Sequence, residues 1–206
     1  MKRLLMLFVA CSLAACAGGV RNVSKAEVYD FGLPLQHLVD GGNWANLALE
    51  VRAPVWIDSP SMEYRLLYED PLKLRGYAGS RWAAAPGLLL AQRLRQQLGF
   101  VGPREQVAVN CLLRLDLEEF SQVFDTPQAS RGILQGAASV LDARHRVVAE
   151  RRIFIEQPAE GADARGGVRA LVLASEELGR QLAGWLSELE KRGTLKSCRA
   201  GSGENR

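Results

Sequence analysis

Apolar residues recur along this chain with two spacings, and each spacing points to a kind of element. Residues 28–33 (VYDFGL) read as a first strand, ended by Gly32 and Pro34, and Asp40, Gly41, Gly42 and Asn43 mark a loop. Residues 45–52 alternate, with Leu47, Leu49 and Val51 on one face. Residues 62–68 and 72–77 alternate about a turn at Glu69, Asp70 and Pro71, which predicts a hairpin. Arg81 and Trp82 then lead into a helix. Pro86 suits its first turn, Leu90, Ala91, Leu94 and Leu98 form its stripe, and Gly99 ends it. Val107, Val109, Cys111, Leu113, Leu115 and Leu117 line the dry face of a long strand.

Residues 121–130 read as a polar loop. Residues 133–141 and 147–155 follow as a second hairpin, with Val147, Ala149, Ile153 and Ile155 on one side of its return strand and Arg146, Glu150, Arg152 and Glu156 on the other. After a loop at 158–167, residues 168–192 predict a closing helix whose stripe runs from Val168 through Leu178, Leu182 and Trp185 to Leu189. Glu176 and Arg180 read as an i,i+4 pair outside that stripe. The expected fold is one α+β domain over 27–193, a mostly antiparallel sheet with two main helices packed on one face. Residues 194–206 form a loose tail, except where Cys198 pins it.

The first 16 residues have a separate pattern. Lys2 and Arg3 precede a short apolar run, and Leu13, Ala14, Ala15 and Cys16 close it. The run is shorter than the roughly 20 apolar residues that span a bilayer, so 1–15 read as a lipoprotein signal peptide. Cys16 is the expected acylated N-terminus, carrying diacylglycerol and palmitate-type chains, and the competing reading is an ordinary signal cut after Ala15. Residues 16–26 then form a short tether. Ala17 in place of Asp favours export to the outer membrane. Of the 26 basic and 23 acidic residues, Lys2 and Arg3 leave with the signal, and the near-neutral remainder argues against nucleic acid as a partner. Cys111 and Cys198 remain, as a disulfide of an exported protein or as two buried thiols.

Nothing in the sequence points to catalysis. His37 and His145 stand alone in turn-like segments, and no metal-ligand spacing or nucleophile motif occurs. No cofactor is expected. Gly166 and Gly167 read as part of a flexible loop, and Glu118 and Glu119, adjacent on a strand, are expected to point to opposite faces.

Several segments together resemble the ABC-type transport auxiliary lipoprotein family, which includes the lipoprotein of the paraquat-inducible system. They are Tyr29-Asp30-Phe31-Gly32, Tyr64-Arg65, Tyr77, Arg81-Trp82-Ala83 with Pro86, residues 115–120 (LDLEEF), and a C-terminal helix carrying Trp185. The resemblance implies an outer-membrane lipoprotein on the periplasmic side, a non-enzymatic accessory of lipid transport. Its implied partners are a mammalian-cell-entry (MCE) domain protein, an ABC permease and ATPase, and further copies of itself in rings. For Tyr64, Arg65, Tyr77, Arg81, Trp82, Pro86 and Trp185 the residues themselves favour structural roles, since large aromatics usually go inside. Two other functions stay open: a regulatory lipoprotein of cell-wall synthase activation or lipopolysaccharide assembly, and a soluble-domain lipid carrier.

Overall fold

The computed structural model describes residues 25–34, 38, 47–100 and 110–198. Its strands are β1 (Glu27–Tyr29), β2 (Leu47–Arg52), β3 (Ser61–Leu66), β4 (Asp70–Trp82), β5 (Cys111–Thr126), β6 (Ala129–Asp142) and β7 (Val147–Pro158). The helices are α1 (Pro86–Leu98) and α2 (Ala164–Lys191), and a 3-10 turn spans Lys196–Cys198. The sheet order is β1-β4-β3-β5-β6-β7, with β2 pairing β5 beside β3.

The long pairings, β3 with β4, β5 with β6 and β6 with β7, are antiparallel. The pairings of β1 with β4, β2 with β5 and β3 with β5 are parallel, so the sheet is mixed. Both helices contribute to the same core. Leu90, Leu94 and Leu98 from α1 and Leu178, Leu182 and Leu186 from α2 meet Leu113, Leu115, Leu134 and Ile153 of the sheet, all nearly inaccessible to water. Contact between α2 and the sheet is close: a Cβ on Gly132 of β6 would lie 3.0 Å from the backbone of Ala170 and Leu171.

Three local departures from the sequence pattern have physical causes. Residues 121–130 are not a loop but the ends of β5 and β6, closed by a tight turn. Ser121 and Gln122 are buried there; Gln122 Nε2 donates to Ser130 Oγ at 2.8 Å, whereas the Ser121 hydroxyl has no hydrogen-bond partner, so polarity here marks interior positions rather than solvent. A register shift between Leu117 and Glu119 places Glu118 and Glu119 on the same outer face, with Arg152 bonded to Glu118 and Arg65 to Glu119. A second shift, between Val140 and Leu141, turns Val147 away from Ile153 and Ile155 and leaves it half exposed.

The β6–β7 turn is held by Asp142. Its carboxylate accepts the Arg144 and Arg146 amides at 2.9 and 3.0 Å and the Arg146 guanidinium at 2.7 Å. The Arg146 side-chain hydrogen bond is the main cause that holds this carboxyl below its ordinary range. A depressed acid contributes stability above its unfolded pKa, and that contribution is lost as pH falls through its folded value. Asp142→Asn is therefore expected to flatten the acid limb of a urea-midpoint profile while leaving the neutral limb's slope unchanged.

Cys111, at the start of β5, and Cys198, in the 3-10 turn after α2, form a disulfide with Cα atoms 5.1 Å apart. Leu195 and Cys198 are both buried, so the chain just beyond α2 packs onto the domain.

Candidate functional site

The segment after β1, Tyr29-Asp30-Phe31-Gly32, lies as a strap across the helical side of the molecule. Asp30 Oδ1 accepts the Gly32 amide at 2.8 Å, and Gly32 takes φ +64°, a left-handed turn that costs glycine little. Phe31 is buried, with its ring 5.6 Å from Trp82, edge to face, and 5.9 Å from Phe120. Trp82 and Phe120 stand 5.7 Å apart. Such aromatic contacts contribute roughly 0.5–1.5 kcal/mol each beyond area burial. Trp82 is 1% exposed and ends β4 rather than opening the helix, since strand pairing continues to Arg81 and Trp82.

Arg93 of α1 locks the strap from beneath. Its guanidinium donates to the Phe31 carbonyl and, at 3.1 Å, to the Gly32 carbonyl. Glu176 of α2 approaches Arg93 Nη1 at 3.7 Å. Burial lowers the Arg93 pKa from its ordinary value, while Glu176 and Asp30 work in the opposite direction. Glu176 is thus an internal partner of Arg93 and not of Arg180, which bonds Glu177 at 2.9 Å. The sequence signal was present: Arg93 falls between Leu90 and Leu94 on the α1 stripe, and Glu176 falls one turn after Val172. A charge inside an apolar stripe calls for a buried partner, and spacing alone names none.

The strap leaves a recess on each side. One, about 230 Å³, lies against Ala83, Ala84, Gln92 and Arg93. The other, about 500 Å³, lies between the strap and α2, with Val28, Val168, Val172 and Leu173 among its walls.

A second cluster holds the first turn of α2. Tyr64 and Tyr77, facing each other across the β3–β4 hairpin, have ring centres 4.6 Å apart, and Tyr64 is 5.9 Å from Phe124. Tyr77 donates its hydroxyl to Gln122 Oε1 at 2.9 Å, and burial pushes its pKa well above the ordinary phenol value. Gln122 in turn rests on Gly167, where a Cβ would sit 2.0 Å from its Oε1. Gly166 and Gly167 are therefore not a flexible loop. They lie in the first turn of α2, and Asp163 caps that turn by accepting the Gly166 amide at 2.7 Å.

The remaining residues fall in separate places. Arg65 pairs with Glu119 at 3.2 Å on the outer face, and burial and Glu119 together raise the pKa of neighbouring Glu63. Arg81 is exposed, Pro86 opens α1, and Trp185 is buried on α2. Cys16 and His37 lie outside the described residues. His145 sits exposed in the β6–β7 turn with φ 59°. Among the described residues no group of three or more His, Cys, Asp or Glu is placed to hold a metal, and no described helix is long and apolar enough to cross a membrane.

The geometry defines a class first: an α+β domain whose most organised feature is a clamped strap flanked by two recesses. A family model described as the ABC-type transport auxiliary lipoprotein component matches residues 47–183, more than half of the sequence, and the chain belongs to that family. Its fold is similar to a crystal structure of a Xanthomonas campestris protein, with a TM-score of 0.64 at 20% identity over 81% of this chain and 98% of that one. A crystal structure of an uncharacterized protein is similar at TM-score 0.61 and 15% identity, covering 79% of this chain and 99% of the other. No curated protein matches the sequence.

Proposed function

We propose that this protein is the membrane-anchored, non-enzymatic accessory of an intermembrane lipid transporter, held at the outer membrane on its periplasmic side by acyl chains on Cys16. The observation that carries the reading is the family match over residues 47–183, which names an auxiliary component of ABC-type transport. The leader pattern ending at Cys16 supplies the anchor, and residues 16–26 tether the domain to it. The domain docks an MCE-domain conduit to the membrane, alongside the ABC permease and ATPase of the same system, and acts as a self-associated assembly.

Cys16→Ala is expected to move the protein from the outer-membrane fraction to the soluble periplasmic or uncleaved form. It should also abolish co-purification with the MCE protein from detergent-solubilised membranes. Mass spectrometry of the wild-type N-terminus should find acyl chains on residue 16. A bare N-terminus, or a pull-down that recovers a cell-wall synthase instead, would refute the reading.

A further inference from the structure

Among the described strands the main path of the sheet ends in β1 and β7, with β2 a third strand paired on one side only, and β1 and β7 are built differently. Free strand edges invite pairing, and proteins guard them with charges, bulges or short length. The long edge strand β7 carries Glu150, Arg152 and Glu156 on its outer face and a register shift near its start. The edge at β1 has no register shift; its guard is its length of three residues, and an apolar groove of about 500 Å³ opens beside it.

Val28 and Tyr29 of β1 line that groove. In a parallel ladder, alternate residues direct their amide and carbonyl to the same neighbour. Ala83 donates its amide to the Tyr29 carbonyl at 2.7 Å, so the Tyr29 backbone groups face β4. Val28, one residue earlier, therefore turns its N–H and C=O away from β4. Val28 is 48% exposed and Leu173, across the groove on α2, is 44% exposed, so both ends of the gap present apolar surface to water. The strap cannot close over the gap, because Arg93 holds the carbonyls of Phe31 and Gly32.

Charge narrows the occupant further. Asp30, Glu160 and Glu176 line the groove, against Arg169 on the same wall, which bonds Glu160 at 2.9 Å. Glu176 is answered by Arg93 behind it, which leaves Asp30 as the carboxylate in excess. An anionic lipid headgroup is disfavoured there, whereas a basic side chain is favoured.

We propose that the β1 edge and its groove take an extended peptide segment of a protein partner, added as a further strand. Main-chain bonds form to Val28, alternate apolar side chains fill the space above Val168, Val172 and Leu173, and a Lys or Arg meets Asp30. The proposal deepens the accessory reading by giving a docking mode, and rests on it only in taking the partner to be a protein.

The test uses the whole mature chain and a fluorescein-labelled heptapeptide of alternating valine and lysine, followed by anisotropy. The peptide is expected to bind saturably. N-methylation at alternate residues, which removes donors but keeps side chains, should weaken binding at least about tenfold. Val28→Pro, which deletes the outward N–H and fixes φ while keeping an apolar side chain, and Leu173→Glu should each do the same with the urea midpoint unchanged. No saturable peptide binding, equal binding of the methylated peptide, or an unaffected Val28→Pro variant would overturn the proposal. So would saturable binding of a fluorescent fatty acid that the peptide cannot displace, which would mark a lipid site. The Cys16→Ala fractionation reads the anchor independently, so failure of one leaves the other standing.

Discussion

Cys111→Ala and Cys198→Ala, alone or together, are expected to lower the free energy of unfolding by about 4–5 kcal/mol each way, and not additively. The bridge joins residues separated by 87 positions, from the first residue of β5 to the turn beyond α2. On the chain-entropy scaling a closed loop of that length removes a large share of the unfolded chain's freedom. The second half of the domain lies inside the loop, including β6, β7 and α2. Alanine is the appropriate replacement because Cys111 and Cys198 are 2% and 8% exposed, and a serine hydroxyl would add the cost of an unpaired buried polar group. Either single variant breaks the whole bridge, so each should cost as much as the pair. Urea unfolding monitored by the fluorescence of buried Trp185 measures the change. A double variant within 1 kcal/mol of wild type would mean that the unfolded chain is already compact without the bridge.

Most of the local structure is legible in the sequence. Pro86 and Gly99 bracket α1 because a missing N–H is harmless at a helix start and a left-handed residue is needed at its end, where Gly99 has φ +64°. Alternation from Cys111 to Leu117 likewise finds β5, and the hairpin reading of 133–141 with 147–155 finds β6 and β7. The parallel pairings of β1, β2 and β3 are a different matter. Period two says which face of a strand is dry, but not which distant strand it lies beside. Residues 121–130 show the same limit from the other side. Ser121, Gln122 and Ser130 read as loop because polar residues usually are exposed, yet here the partners of Gln122 come from elsewhere, Tyr77 from β4 and the glycine gap from α2. The candidate site was half visible. Its aromatic members, Tyr29, Phe31 and Trp82, stand out as a pattern, whereas the clamp that makes them a site does not.

That clamp supports the second large effect. Arg93→Met is expected to destabilise the domain by about 3–5 kcal/mol, because it strands the Glu176 carboxylate in the interior and leaves two carbonyls of the strap without their donor. Arg93 itself is 2% exposed, and its Nη1 has no hydrogen-bond partner beyond the 3.7 Å approach of Glu176, so the pair is not an optimal one. An interior ion pair of that quality contributes little relative to apolar packing of the same volume, although losing one half is expensive. Arg93→Met combined with Glu176→Leu should therefore recover most of the loss and lie within about 1–2 kcal/mol of wild type in urea unfolding. Stability and strap position should then separate. In the rescued double variant the Phe31 and Gly32 carbonyls still have no guanidinium to hold them, so hydrogen exchange at residues 29–32 should remain faster than in wild type, while exchange in β5 and β6 returns to normal. If exchange at the strap also returned to normal, the aromatic contacts of Phe31 with Trp82 and Phe120 would be sufficient to fix it. Arg93 would then be a core residue and not the element that holds one wall of the groove open.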